Sequence, residues 1–262
     1  MDLDLSDKVA VVTGASKGIG LAVTQALVDE GVRVAAGARE ASPELSQLAQ
    51  RSAVRPISAD LSTREGPARL VEEAVRAFGG IDIVVNNVGA VRPHLKGFLS
   101  FSEDDWERSL TINFLAAVRT TRAAVPYLLE RGRGTIVTIS SVNAFLPDPT
   151  IIDYCASKAA LTNFSKALSK ELGPRGIRVN TVSPGPVSTA LWLSDRGVAA
   201  TIAQATGGEA DDIAKQAASQ AVTGRFTTPQ EVADLVLVLA SERAGNVTGS
   251  EYVIDGGLIT TL

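Results

Sequence analysis

A short apolar run at residues 8–13 (K-V-A-V-V-T) ends on Thr13-Gly14-Ala15-Ser16-Lys17-Gly18-Ile19-Gly20. Helical spacing follows at once, with Leu21, Ala22, Ala26 and Leu27 on one side. A strand, a glycine turn and a helix in this order form the setting in which backbone N–H groups hold a diphosphate. Gly14 allows a tight turn off the strand. Gly18 leaves room for phosphate oxygens, and Gly20 lets the helix start pack closely on the sheet. Ser16, Lys17 and Ile19 complete the loop. The spacing is G-x-x-x-G-x-G, where the commoner dinucleotide pattern is G-x-G-x-x-G. A glycine triplet by itself also serves ordinary strand-to-helix turns, so the rest of the chain has to decide between the two uses.

The same alternation continues along the chain. Apolar, β-branched runs predict strands at 8–13, 32–37, 54–58, 81–86, 135–139, 177–182 and 251–254. Helical periodicity covers 19–30, 63–78, 104–129, 153–172 and 230–240. Strands separated by helices imply an α/β fold, a single Rossmann-type doubly wound parallel sheet with helices on both faces. One dinucleotide-binding and catalytic domain over residues 1–262 is the simplest organisation. Residues 190–228 fit the alternation least. A long excursion at that place reads as a substrate lid or as a surface helical hairpin.

Composition removes several classes. No stretch of 18 uninterrupted apolar residues exists, so no membrane span is expected. The first residues are acidic and lack the basic start of a secretory signal. The single cysteine, Cys155, excludes an internal disulfide, and a cytoplasmic location is expected. A net charge of −4 argues against nucleic acid as partner. The one histidine, His94, cannot build a histidine-rich metal site, and no metal is expected.

At the end of the second strand the chain reads Ala36-Gly37-Ala38-Arg39-Glu40. A carboxylate here accepts from a free ribose 2′-hydroxyl, whereas arginine suits a 2′-phosphate. Ala38 stands where an Asp would select NAD. Arg39 follows it, and Lys17 adds a second cation. NADP is therefore expected in preference to NAD. The other reading makes both cations solvated surface charges and gives the hydroxyl to Glu40.

Tyr154 and Lys158 lie four apart on a predicted helix and so share a face. A free phenol has a pKa of about 10, and a nearby ammonium is expected to lower it. Such a Tyr donates a proton to a forming alkoxide or takes one from an alcohol. Ser141 ends a strand thirteen residues earlier and can hydrogen-bond the reacting oxygen. Its neighbour Ser140 must point to the opposite face. Cys155 reads as a small core filler, and His94 either borders the substrate mouth or is plain surface.

Together these residues resemble the classical short-chain dehydrogenase/reductase family from about residue 6 to 257. The loop at 13–20 is similar to T-G-x-x-x-G-x-G. Asp60-Leu61 resembles the adenine-contacting pair, and Asn86-Asn87-Val88-Gly89 resembles N-N-A-G, with Val88 in place of Ala. Asn113 resembles the family's Asn that holds a water behind the lysine. Ser141, Tyr154 and Lys158 match the remainder of its tetrad. Pro184-Gly185-Pro186-Val187-Ser188-Thr189 is similar to P-G-x-x-x-T, whose Val and Thr contact the nicotinamide. Asp255-Gly256-Gly257 resembles the usual final-strand ending.

The resemblance implies catalytic roles for Asn113, Ser141, Tyr154 and Lys158. It implies cofactor contacts from Gly14, Ser16, Lys17, Gly18, Ile19, Gly20, Arg39, Asp60, Leu61, Asn87, Gly89, Tyr154, Lys158, Pro184, Gly185, Val187 and Thr189. It further implies a homotetramer formed partly through the helices near 104–129 and 154–172. Ala156, Ala159, Ala160, Phe164 and Ala167 suit close packing of that kind.

The expected function is NADP(H)-dependent hydride transfer between the nicotinamide and a ketone or secondary alcohol of a small to medium, fairly apolar substrate. Val142, Phe145, Leu146, Leu191 and Trp192 are its expected walls. One alternative is a 3-oxoacyl-(acyl carrier protein) reductase, with Arg131 and Arg175 as candidate docking cations. An alternative of another class is a non-catalytic dinucleotide-binding sensor, which would not need Ser141, Tyr154 and Lys158 together.

Overall fold

The computed structural model describes residues 2–261. Alternation of strand and helix gives β1 (Val9–Thr13), α1 (Gly18–Asp29), β2 (Arg33–Ala38), α2 (Pro43–Arg51), β3 (Val54–Ser58), α3 (Gly66–Phe78) and β4 (Ile83–Asn86). There follow α4 (Glu103–Leu110), α5 (Ala116–Glu130), β5 (Gly134–Ile139), α6 (Ile152–Leu172) and β6 (Ile177–Pro184). The chain ends with α7 (Ala190–Leu193), α8 (Val198–Thr206), α9 (Ala210–Ser219), α10 (Pro229–Ala240) and β7 (Glu251–Ile254).

All seven strands pair in parallel in the order β3-β2-β1-β4-β5-β6-β7. This is the expected Rossmann-type doubly wound sheet. Chain order reverses between β1 and β4, and the crevice beyond the carboxyl ends of those strands is where ligands of such sheets bind.

Period-two alternation sends each strand's side chains to two apolar layers. Ala10, Val12, Val34, Ala36, Val85 and Val137 pack under α1, α2 and α10, through Val23, Leu27, Leu45, Val232 and Val236. Val11, Ala35, Val84, Ile136 and Val179 pack under α3 and α5, through Leu70, Val71, Ala124 and Leu128. Strands buried on both faces read as continuous apolar runs, which is why residues 8–13 and 81–86 were legible. Among the described residues no helix is long and apolar enough to cross a membrane.

Three elements differ from the sequence reading. Helix α2 was not expected. Ser42 caps it by accepting from the Leu45 N–H at 3.2 Å, and Pro43 occupies its first turn. The long element at 104–129 is interrupted by a π-turn, Thr111–Leu115, that joins α4 to α5 and carries Asn113. Residues 190–228 fold into α7, α8 and α9 before Val187 forms a parallel bridge with Thr227.

Candidate active site

The ends of β1 and β4 are laced together under the glycine loop. The Thr13 hydroxyl accepts from the backbone N–H groups of Asn87 (2.8 Å) and Val88 (3.1 Å). The Asn87 amide donates to the carbonyls of Thr13 (2.9 Å) and Gly14 (3.2 Å). Gly14 and Gly18 take positive φ, +67° and +55°, where a side chain would be strained. At Gly20 a Cβ would lie 2.2 Å from the Gly14 carbonyl oxygen and 2.5 Å from Asn87 Nδ2. No side chain caps the start of α1, so its first N–H groups stay available to an anion.

A cleft of about 1800 Å³ opens over these ends. Gly14, Ser16, Lys17, Gly18, Ile19, Arg39, Asp60, Leu61, Asn87 and Gly89 line it, as do Pro184, Gly185, Val187 and Thr189. Thr189 sits across the loop, its methyl 3.3 Å from where a Gly18 Cβ would stand. Asp60 accepts from the Ser62 N–H and hydroxyl, and these bonds hold its carboxyl below the usual range, with help from Arg39. Arg39 therefore borders the same end of the cleft as Asp60. Glu40 is not among the lining residues.

Ser141, Tyr154 and Lys158 line the cleft beside Asn87 and Gly89. Lys158 comes from the buried face of α6, donates to the Ile139 carbonyl at 2.9 Å, and places Nζ 5.7 Å from the centre of the Tyr154 ring. Ser140 points the other way, as alternation requires, and bonds Thr162 at 2.8 Å.

Electrostatics here corrects the expectation from sequence. The Tyr154 phenol is pushed up to about 12, not lowered, because burial disfavours the phenolate more than the Ser141 hydrogen bond favours it. Burial also pushes the Lys158 ammonium down to about 8. Removing both charged forms from water outweighs the attraction between groups so spaced.

Two of the expected site residues, one cofactor contact and one catalytic residue, stand behind the cleft wall. Gly20 is packed against Gly14 and Asn87, so its place is a close approach beneath the loop. Asn113 is buried behind Gly89, where a Cβ would meet Asn113 Oδ1 at 3.0 Å and Lys158 Nζ at 3.6 Å. The Asn113 amide donates to the Ala90 carbonyl and accepts from the Ala90 N–H, both at 2.9 Å, and donates to Ser109 at 3.3 Å. Its side chain braces the segment after β4 and touches Lys158's surroundings from behind.

Phe145 also lies off the cleft, since it closes the short turn after Ser141 and faces outward. Val142, Leu146, Leu191 and Trp192 are in the wall, joined by Ile202. The His94 ring stacks on Phe101 at 4.1 Å and is not part of the cleft wall, while the His94 backbone N–H donates to the Thr150 carbonyl at 2.7 Å. Cys155 is buried, accepts from the Asp148 N–H at 3.4 Å, and is pushed up by burial, as befits a core filler. Arg131 pairs with Asp82 at 3.7 Å.

Comparison with known proteins identifies the family. Residues 14–259 match the family model described as enoyl-(acyl carrier protein) reductase. D-threitol dehydrogenase of Mycolicibacterium smegmatis is 36% identical over 98% of this chain and 94% of its own length. 3-Oxoacyl-(acyl-carrier-protein) reductase FabG of Thermotoga maritima is 34% identical over 97% and 99%. The crystal structure of L-sorbose reductase from Gluconobacter frateurii, complexed with NADPH and L-sorbose, superposes with a TM-score of 0.91 at 34% identity, covering both chains fully. The chain belongs to the short-chain dehydrogenase/reductase family.

Within this short-chain dehydrogenase/reductase, several residues at the site were not singled out from sequence. Asn143 follows Ser141 by two positions and lines the cleft. Ser109 and Ser157 lie 3.3 Å apart behind Asn113 and are both buried. A polar residue directly after a strand's carboxyl end was the available signal for Asn143. Ser109 and Ser157 gave none, because they meet only through the packing of α4 on α6.

Proposed function

We propose that this chain is an NADP(H)-dependent oxidoreductase that interconverts a ketone and a secondary alcohol on a small to medium substrate with a fairly apolar body. One observation carries the reading: the Tyr154 phenol, Ser141 and Lys158 share a single cleft with a glycine loop whose helix start is left uncapped. The residues fit a dinucleotide. The α1 N-terminus and Gly18 would hold the diphosphate, Asp60 and Leu61 would flank the adenine, and Val187 and Thr189 would face the nicotinamide. When bound, the reduced cofactor supplies the hydride. Tyr154 holds a proton for the carbonyl oxygen, Ser141 hydrogen-bonds that oxygen, and Lys158 keeps a cation beside the phenol. Asn113 fixes Ala90 and the backbone behind Lys158. Val142, Leu146, Leu191 and Trp192 supply apolar walls, and residues 190–228 act as a lid over them.

Preference for NADP rests on Lys17 and Arg39, which both line the cleft, with Ala38 where a carboxylate would stand. The L-sorbose reductase complex, which holds NADPH, supports this choice. Arg39→Asp is expected to move the NADPH-to-NADH ratio of kcat/KM about 100-fold toward NADH, the worth of a charged hydrogen bond to phosphate. An unchanged ratio would assign the arginine to solvent.

The FabG relatives favour a second reading, a 3-oxoacyl-(acyl carrier protein) reductase. A panel separates the two. Following NADPH absorbance, simple ketones should be turned over at least as fast as a 3-oxoacyl group on a carrier protein. Turnover confined to the carrier-linked group would establish the second reading, and none on any member would leave a dinucleotide sensor. The exposed Ala156, Ala159 and Ala167 on α6, beside half-buried Phe164, fit self-association as a homotetramer, and the cytoplasm is the location we assign.

A further inference from the structure

The amide of Asn143 has only one possible orientation. Its Nδ2 donates to the Leu146 carbonyl at 3.0 Å, and a carbonyl can only accept. Oδ1 is thereby turned to Ser141, whose hydroxyl donates to it at 3.2 Å. The Asn143 N–H returns a bond to Ser141 Oγ at 3.2 Å. Leu146 opens a loop that is itself tied down, because Asp148 accepts from the Thr150 N–H and hydroxyl, each at 2.7 Å. The result is a pre-set acceptor on the cleft wall, one hydroxyl away from the group that must meet the reacting oxygen.

Ser141 has a single hydrogen. Donating it to a substrate carbonyl turns it away from Asn143 Oδ1, and that half-exposed oxygen then takes its hydrogen from water or from a donor on the substrate. A plain ketone offers nothing in exchange. A ketone with a hydroxyl on the adjoining carbon does, since its two oxygens lie side by side, as Ser141 Oγ and Asn143 Oδ1 do.

We infer that Asn143 is a specificity-determining residue, and that the preferred substrate is an α-hydroxy ketone, or in reverse a vicinal diol, whose second hydroxyl donates to Asn143 Oδ1. This rests on the oxidoreductase reading above and narrows its substrate class. The apolar walls take the rest of the molecule, while the carbon chain beside the carbonyl carries the hydroxyl.

Three ketones of one shape test it: acetophenone, 2-hydroxyacetophenone and 2-methoxyacetophenone. The methoxy compound keeps the oxygen and lacks the hydrogen. The wild-type enzyme with NADPH should favour the hydroxy ketone by about tenfold in kcat/KM over both others, the worth of one restored hydrogen bond. In Asn143→Leu that ratio should fall to near one. Binding gives a second readout: 2-hydroxyacetophenone should quench the fluorescence of Trp192, which lines the cleft, at lower concentration than the methoxy compound does, in wild type only. Equal wild-type kcat/KM for the hydroxy and methoxy ketones would overturn the inference and leave the oxidoreductase reading standing. So would a preference that survives Asn143→Leu. Absence of NADPH oxidation with all three, and with the wider panel, would overturn both.

Discussion

Tyr154→Phe is expected to lower kcat for ketone reduction by about 1000-fold while NADPH binding stays within about twofold. The phenol lines the cleft beside Ser141 and carries the proton that the carbonyl oxygen needs on reduction. Burial holds its pKa near 12, so it is fully protonated at neutral pH and ready to donate. Phenylalanine keeps the ring and its packing on α6 but has no proton to give. The same pKa sets the reverse direction. Alcohol oxidation needs the phenolate, whose fraction rises tenfold for each pH unit below the pKa. Oxidation should therefore accelerate steadily from pH 7 upward, while reduction does not. Stopped-flow absorbance for turnover and NADPH fluorescence for binding are the measurements. A Phe variant that keeps more than a tenth of wild-type kcat would remove Tyr154 from the chemistry.

Lys158→Met is expected to abolish turnover and yet to stabilise the cofactor-free protein at neutral pH. Burial lowers the ammonium from 10.5 to about 8, so folding disfavours the charged form by about 3 kcal/mol. Below pH 8 both folded and unfolded chains hold the proton, and the folded state carries the whole penalty. Between 8 and 10.5 the folded chain releases its proton first, and the penalty shrinks as pH rises. Above 10.5 neither state is charged and none remains. Methionine fills similar space without charge but leaves the Ile139 carbonyl without the donor it has at 2.9 Å, a loss of about 1–2 kcal/mol. The net gain at pH 7 is thus about 1–2 kcal/mol, and it should vanish or change sign near pH 10.5. Urea denaturation at pH 7 and pH 10.5 measures both values. A Met variant less stable than wild type at pH 7, or a difference independent of pH, would contradict the burial argument.

Much of the site was readable from spacing. The run at 8–13 followed by Gly14, Gly18 and Gly20 placed the glycine loop because strand, turn and helix are consecutive in the chain. Tyr154 and Lys158 were matched because one helical turn brings them to a face. Ser141 was separated from Ser140 by alternation. Helix α2 escaped notice because only Leu45 and Leu48 of its residues are buried, too few to give a period. Asn113, expected behind the lysine, stands behind Gly89 and Lys158, held by Ala90, while Gly20 lies beneath the loop against Gly14 and Asn87.

What the order of residues determined alone was the layered sheet, its crevice and the identity of the groups brought there, since each follows from periods that act over one or two turns. Tertiary structure decided their proton affinities and the direction of one amide. Loss of water around Tyr154 and Lys158 is a sum over atoms from β5, α6 and the loops above them. The orientation of Asn143 depends on the Leu146 carbonyl three residues on, brought to it by the irregular turn after β5, which no hydrophobic period marks.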